Sequence, residues 1–236
     1  MIDVFGSYCG TAPTASTWAA RWNGDPVLVV ALLVSAGVMT RLPHGRRTAG
    51  LSAIGVLAVV FLSPLCSLSV ALFTARTVHH LLLIGLAAPL LAIALPPRAS
   101  ISAPIALALA TVVLWVWHIP AAYDAALSNK AVYWVMQTTL LASAWAYWAA
   151  VRRAEPPLAL AVIAAGAAQM GLLGAILTFV SRPLYTAHSS TTVAFGIGPV
   201  ADQQMAGLSM WVLGLIPYAV IGATLARNSW RRMAAA

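Results

Sequence analysis

The sequence predicts an all-α integral membrane protein: a bundle of about seven transmembrane helices, N-terminus outside and C-terminus in the cytoplasm. Three observations predict it. Of 236 residues, 61% are hydrophobic and 8% charged, whereas a soluble domain needs about a quarter of its residues charged. The mean hydropathy is +0.89. Apolar runs approaching the roughly 20 residues that cross a bilayer alternate with short polar breaks along the whole chain.

The spans are expected at about 26–41, 49–74, 77–96, 101–118, 131–150, 158–181 and 204–226. The first run is the shortest, but its start is well marked. Asp25 suits an N-cap and Pro26 the first helical position. Pro96-Pro97 and Pro156-Pro157 mark two further breaks. The chain then divides into an outer N-terminal segment (1–25), a membrane domain (26–226) and a basic cytoplasmic tail (227–236). Met1–Asp25 has neither a basic start nor an apolar h-region, so the first span is expected to be retained rather than cleaved as a signal.

Orientation follows from the basic residues. Alternating loops place Arg41, Arg46, Arg47, Arg98, Arg152, Arg153, Arg227, Arg231 and Arg232 on one side, and Arg21, Arg76, Lys130 and Arg182 on the other. The richer set belongs in the cytoplasm. The net charge of +8 therefore reports topology rather than nucleic-acid binding. The interiors of the expected spans carry no Asp, Glu, Lys or Arg, which counts against an ion-driven pump. Gln137 and Gln169 are the deep polar groups, suited to hydrogen bonds between helices. No GxSxG, HExxH or paired intramembrane aspartates support a hydrolase.

Of five histidines, His44 falls in the cytoplasmic loop. His79 and His80 open the third span, His118 closes the fourth, and His188 lies in the connection before the seventh. Cys66, near the outer end of the second span, Cys9, Met136, Met205 and Met210 share that level. Thiolate and thioether suit Cu(I), and imidazole suits either copper oxidation state. The collection reads as a copper site more readily than as a zinc or magnesium site. Each member also has an ordinary explanation. His79 and His80 point about 100° apart on a helix and do not easily serve one metal. His118 can belong to the aromatic belt with Trp115 and Trp117, and the methionines to packing. Cys66 can be a small apolar filler or pair with Cys9 in an oxidising compartment. Asp202 precedes the seventh span and suits its N-cap.

Several segments carry a resemblance. They are Tyr8-Cys9-Gly10 with Trp22-Asn23-Gly24-Asp25-Pro26; Ser63-Pro64-Leu65-Cys66; and Arg76-Thr77-Val78-His79-His80, followed by Ala87-Ala88-Pro89-Leu90-Leu91. Further on come Trp117-His118-Ile119-Pro120 with Tyr123, and Asp202-Gln203-Gln204-Met205-Ala206-Gly207 leading into Met210-Trp211. Together, from Tyr8 to about Tyr218, they resemble the seven-span cytochrome c oxidase assembly factor family known as CtaG, in its proteobacterial form. The resemblance implies a non-enzymatic role in building a haem–copper cytochrome c oxidase in a bacterial inner membrane. Oxidase subunits, membrane lipid and periplasmic copper chaperones are the expected partners. Copper is the expected cargo, on ligands drawn from His79, His80, His118, His188 and Cys66. Asp202, Gln203, Arg76, Cys9 and Met136 are expected in support. A haem held between His80 and His118 and a metal-free scaffold for oxidase subunits are the alternatives.

Overall fold

The computed structural model describes residues 7–98 and 101–234. The first six residues of the outer segment and the last two of the tail lie outside the described residues. Each of the seven apolar runs is helical. They comprise α1 (Pro26–Thr40), α2 (His44–Leu62), α3 (Pro64–Ala71), α4 (Phe73–Leu82), a π turn (Leu83–Ala87), α5 (Ala88–Ala94), α6 (Ala103–Val116), α7 (Pro120–Ser128), α8 (Lys130–Arg153), α9 (Pro156–Phe179), α10 (Pro199–Val212) and α11 (Leu215–Ala234). No strand occurs among the described residues.

Among the described residues four helices are long and apolar enough to cross a membrane: His44–Leu62, Phe73–Ala94, Pro156–Phe179 and Pro199–Ala234, the last two-part at Leu213–Gly214. The pair α6 and α7, bent by 72°, makes a fifth if counted as one span. Pro26–Thr40 is apolar but short, and α8 runs 24 residues with aromatic and polar side chains interspersed.

Two expected boundaries move. The second run, read as one span over 49–74, breaks at Ser63 and again at Leu72. Ser63 turns extended, its side chain accepts from the Leu65 amide, and Pro64 takes the first position of a new helix, where its missing N–H costs nothing. At the other end α11 continues to Ala234, so the basic tail expected from 227 is the last two turns of a helix.

The ends of the bundle differ in chemistry. One end gathers the arginine-rich breaks, where Arg46 donates to the Ala94 carbonyl at 2.8 Å and Arg153 donates to that of Pro97. The other end gathers His79, His80, His118 and His188. There the segment before α1 folds back as a strap: the Asn23 amide nitrogens bond the carbonyls of Leu62 (2.9 Å, backbone) and Phe61 (3.1 Å, side chain). Tyr8 stacks on Tyr133 at 5.2 Å. Asp25 caps α1 as expected, accepting from Val27 and Leu28. The Tyr8 hydroxyl donates to the same carboxylate at 2.6 Å and is the chief reason that carboxyl lies below its usual range.

Helices α9 and α10 pack through glycine. A methyl group at Gly207 would stand 2.5 Å from the Gly174 carbonyl oxygen and 2.7 Å from the Thr178 nitrogen, and one at Gly174 would meet the Gly207 carbonyl at 2.8 Å. The two backbones touch, which holds Met170 of α9 and Met210 of α10 side by side under the histidine end.

Candidate functional site

The position of α4 sets the site. Its first amides have no partner within the helix, and Asp202 supplies one from α10. The carboxylate accepts from Phe73 N at 2.6 Å and Thr74 N at 3.1 Å, while the Thr74 hydroxyl donates to the Asp202 carbonyl at 2.8 Å. Asp202 is thus not the N-cap of its own helix, as the sequence suggested. It lies in the first turn of α10 and caps α4. Gln203 turns the other way: its Oε1 accepts from Leu184 N and its Nε2 donates to the Leu177 carbonyl, so it shapes the connection after α9.

With α4 fixed, its buried side chains point into the bundle. Charge counting placed Arg76 in a loop, and the spans free of Asp, Glu, Lys and Arg. The structure instead buries Arg76 completely inside the Phe73–Ala94 helix. Its guanidinium lies over the Tyr133 ring, 5.4 Å from the centroid, and beside the Tyr123 hydroxyl. None of its three nitrogens reaches hydrogen-bonding geometry. The local sequence gives no warning of this, because hydropathy patterns assign every charge to a break.

The four outer histidines separate into three settings. His79 is fully buried and stands edge-on to Phe61 at 5.3 Å. His188 sits in the connection between α9 and α10, 3% exposed, with Nε2 2.6 Å from the Tyr123 hydroxyl. Burial, then the Arg76 charge, pushes its imidazole down to about 3, so it is neutral at physiological pH. That connection is fastened to α7 by Asp124, which accepts from the Thr186 hydroxyl and the Ala187 amide.

His80 and His118 come together. They line a cavity of about 10 Å³ with Thr77, Met170 and Met210, room for roughly one water-sized atom. Nε2 of His80 accepts from the Gln137 side-chain nitrogen at 3.3 Å, so in this arrangement the neutral ring carries its proton on Nδ1; turning the amide over, so that its unpartnered Oε1 accepts from Nε2–H, frees Nδ1. Nδ1 of His118 is 2.7 Å from the Leu114 carbonyl oxygen. A carbonyl only accepts, so this nitrogen carries the proton and the Nε2 lone pair is free. Two imidazoles and two thioethers therefore share one small space. Gln137 meets the expectation of an interhelical hydrogen bond, as does Gln169, whose Oε1 accepts from the Trp115 indole at 3.2 Å.

Several candidates lie outside this cavity. Cys66 is joined to Cys9 as a disulfide, Cα–Cα 5.3 Å, so it has no thiolate to offer while the bond stands. Met136 is fully buried in the hydrophobic core, and Met205 is 43% exposed on the outside of α10. Met170, which sequence reasoning overlooked, was hidden inside an apolar run; its one signal was the adjoining polar Gln169. Among the described residues no group of three or more His, Cys, Asp and Glu side chains is placed to hold a metal ion.

Comparison with known proteins gives one match. The family model described as cytochrome c oxidase caa3 assembly factor (Caa3_CtaG) matches residues 98–232, a stretch that carries His118, Met170, His188, Asp202 and Met210 and begins beyond α4, so that His79 and His80 precede it. No curated protein and no solved structure matches. Covering more than half of the chain, the match makes this protein a member of the cytochrome c oxidase caa3 assembly factor family.

Proposed function

We propose that this protein is a non-catalytic assembly factor that takes up copper as Cu(I) in the cavity between His80 and His118 and passes it to a haem–copper oxidase subunit. In this reading the chain crosses a bacterial inner membrane seven times, N-terminus outside, with the histidine end facing the compartment where copper chaperones deliver. The observation that carries it is the shared cavity of His80, His118, Met170 and Met210, drawn from α4, α9, α10 and the turn between α6 and α7.

The donor set favours the monovalent ion. Imidazole and thioether are neutral, and soft sulfur prefers Cu(I). A divalent ion would bring two uncompensated charges into an apolar bundle, which is strongly disfavoured. The volume between the histidines suits an ion and not a macrocycle, which weighs against the haem alternative. The Leu114 carbonyl holds His118 with its Nε2 lone pair available, and copper would take His80 through Nδ1 with the Gln137 amide turned so that its unpartnered Oε1 accepts from Nε2–H. Such outer partners typically matter by about 10–100-fold in metal affinity.

The test is purification in detergent, anaerobic loading with Cu(I), elemental analysis and an absorption spectrum, beside His118→Ala and Met170→Leu/Met210→Leu variants. About one copper per chain in the parent, lost in both variants, with sulfur and nitrogen neighbours by X-ray absorption, is expected. Full occupancy in the variants would dismiss this site. No uptake by any form would leave the metal-free scaffold as the reading.

A further inference from the structure

The disulfide at the histidine end is asymmetric in its surroundings. Cys66 is 1% exposed and occupies the third position of α3, after Pro64 and Leu65. The positive end of a helix favours a thiolate there. The Asn23 side-chain nitrogen lies 4.0 Å from its sulfur, a second donor toward the same atom. Cys9 is half-buried and lines an open, mostly polar cleft of about 240 Å³ with Tyr8, Arg21, Trp22, Asn23 and Ser67. Its sulfur is 3.5 Å from the Tyr133 hydroxyl. Gly10, with φ of 83°, turns the strap immediately after Cys9, a conformation that costs glycine little.

Cys9 therefore lines an accessible cleft beside the cation Arg21, and Cys66 sits where a departing thiolate is stabilised. Burial of both sulfurs would serve a staple equally well; this division serves exchange. A thiol attacks faster where access is open, and the bond breaks faster where the leaving sulfur is the better thiolate.

We propose that Cys9–Cys66 is a thiol–disulfide exchange centre that oxidises a dithiol on a partner protein. A partner thiolate attacks Cys9 Sγ from the cleft and forms a mixed disulfide. The Cys9–Cys66 bond breaks, and its electron pair leaves with Cys66 Sγ, where the α3 N-terminus and the Asn23 amide receive it. The partner's second thiolate then attacks its own sulfur in the mixed disulfide and releases Cys9 as thiolate. Two protons shed by the partner's thiols, returned through solvent, complete the transfer. The partner ends as a disulfide and this chain as a dithiol, two electrons having moved. The proposal stands whether or not the cavity below binds copper.

The full-length protein in detergent is treated with a synthetic monothiol peptide, quenched with acid, alkylated and mapped by mass spectrometry. The expected product carries the peptide on Cys9 and the alkyl group on Cys66. A two-cysteine peptide should reduce the pair completely and emerge oxidised. Arg21→Ser, a change at an exposed side chain, should slow the attack several-fold at low salt and erase most of its salt dependence. A disulfide that stays intact until the protein is unfolded, or a peptide attached at Cys66, would overturn the proposal. So would an Arg21→Ser rate equal to that of the parent at low salt.

Discussion

Asp202 is the residue on which the placement of α4 depends, and its removal has a size that can be worked out. Its carboxylate satisfies two amides, Phe73 N at 2.6 Å and Thr74 N at 3.1 Å, at a position 1% exposed. Asp202→Ala orphans both. A buried amide without a partner costs about 1–3 kcal/mol, and the lower part of that range suits half-buried Thr74. About 3 kcal/mol is expected in all, above the roughly 1 kcal/mol of an ordinary cap. Asp202→Asn keeps one acceptor and loses the charge, so about half that loss is expected. Reversible unfolding in mixed detergent micelles would measure both. Hydrogen exchange would locate the effect, with protection falling across Phe73–Thr77 before the rest of the bundle. An equal, small effect below about 0.5 kcal/mol in both variants would refute the reasoning, since it would mean that water serves these amides as well as the carboxylate does.

Two further perturbations follow from the buried groups around it. His188, pushed to about 3 in the fold and near 6.5 when unfolded, binds its proton more readily in the unfolded chain. Its contribution is therefore present above about pH 6.5 and is lost as pH falls from there toward 3, by about 1 kcal/mol between pH 7 and 5.5. Unfolding measured across that window should flatten in His188→Gln by this amount, and an unchanged slope would be evidence against the burial described. Arg76, fully buried with no nitrogen in strict hydrogen-bonding geometry among the described residues, should be replaceable by Met with a gain of about 1–3 kcal/mol by the same assay; a comparable loss would reveal a partner for the guanidinium, the Tyr123 and Tyr133 hydroxyls being the nearest.

Helical content was legible because bilayer-length apolar runs leave few alternatives. Breaks were legible where proline follows a capping residue, as at Asp25-Pro26. The same signal at Ser63-Pro64 was present and passed over, because the apolar run continues across it. Arg76 was misplaced for a different reason. Whether a charge near a span end lies in a loop or in the bundle depends on the tilt of its helix, and that tilt is set by Asp202, 126 residues away along the chain. The cavity that His80 shares with His118, and that His79 and His188 do not line, likewise depends on which helices are neighbours. Hydropathy carries no record of helix order. Met170 was hidden for the plainest reason: a thioether ligand and a core methionine look the same in an apolar run.

The donor set around His80 suits passage of a copper ion better than its storage. A metal kept permanently is usually held by at least one anionic ligand, which offsets its charge in a low-dielectric interior. Here the nearby acid, Asp202, is committed to the amides of α4, and the cysteine pair is closed on itself. What remains is neutral. Arg76, one turn before His80 and about 6 Å from it along the axis, adds a positive charge to the same interior. At an effective dielectric of about 20, two unit charges some 8 Å apart repel by about 2 kcal/mol, roughly thirty-fold in affinity. Under the proposed reading, two imidazoles and two thioethers would capture Cu(I), and the guanidinium would weaken their hold on it. If the protein carries copper as proposed, an affinity held down in this way would suit the task and would give a reason for the bundle to keep a buried arginine.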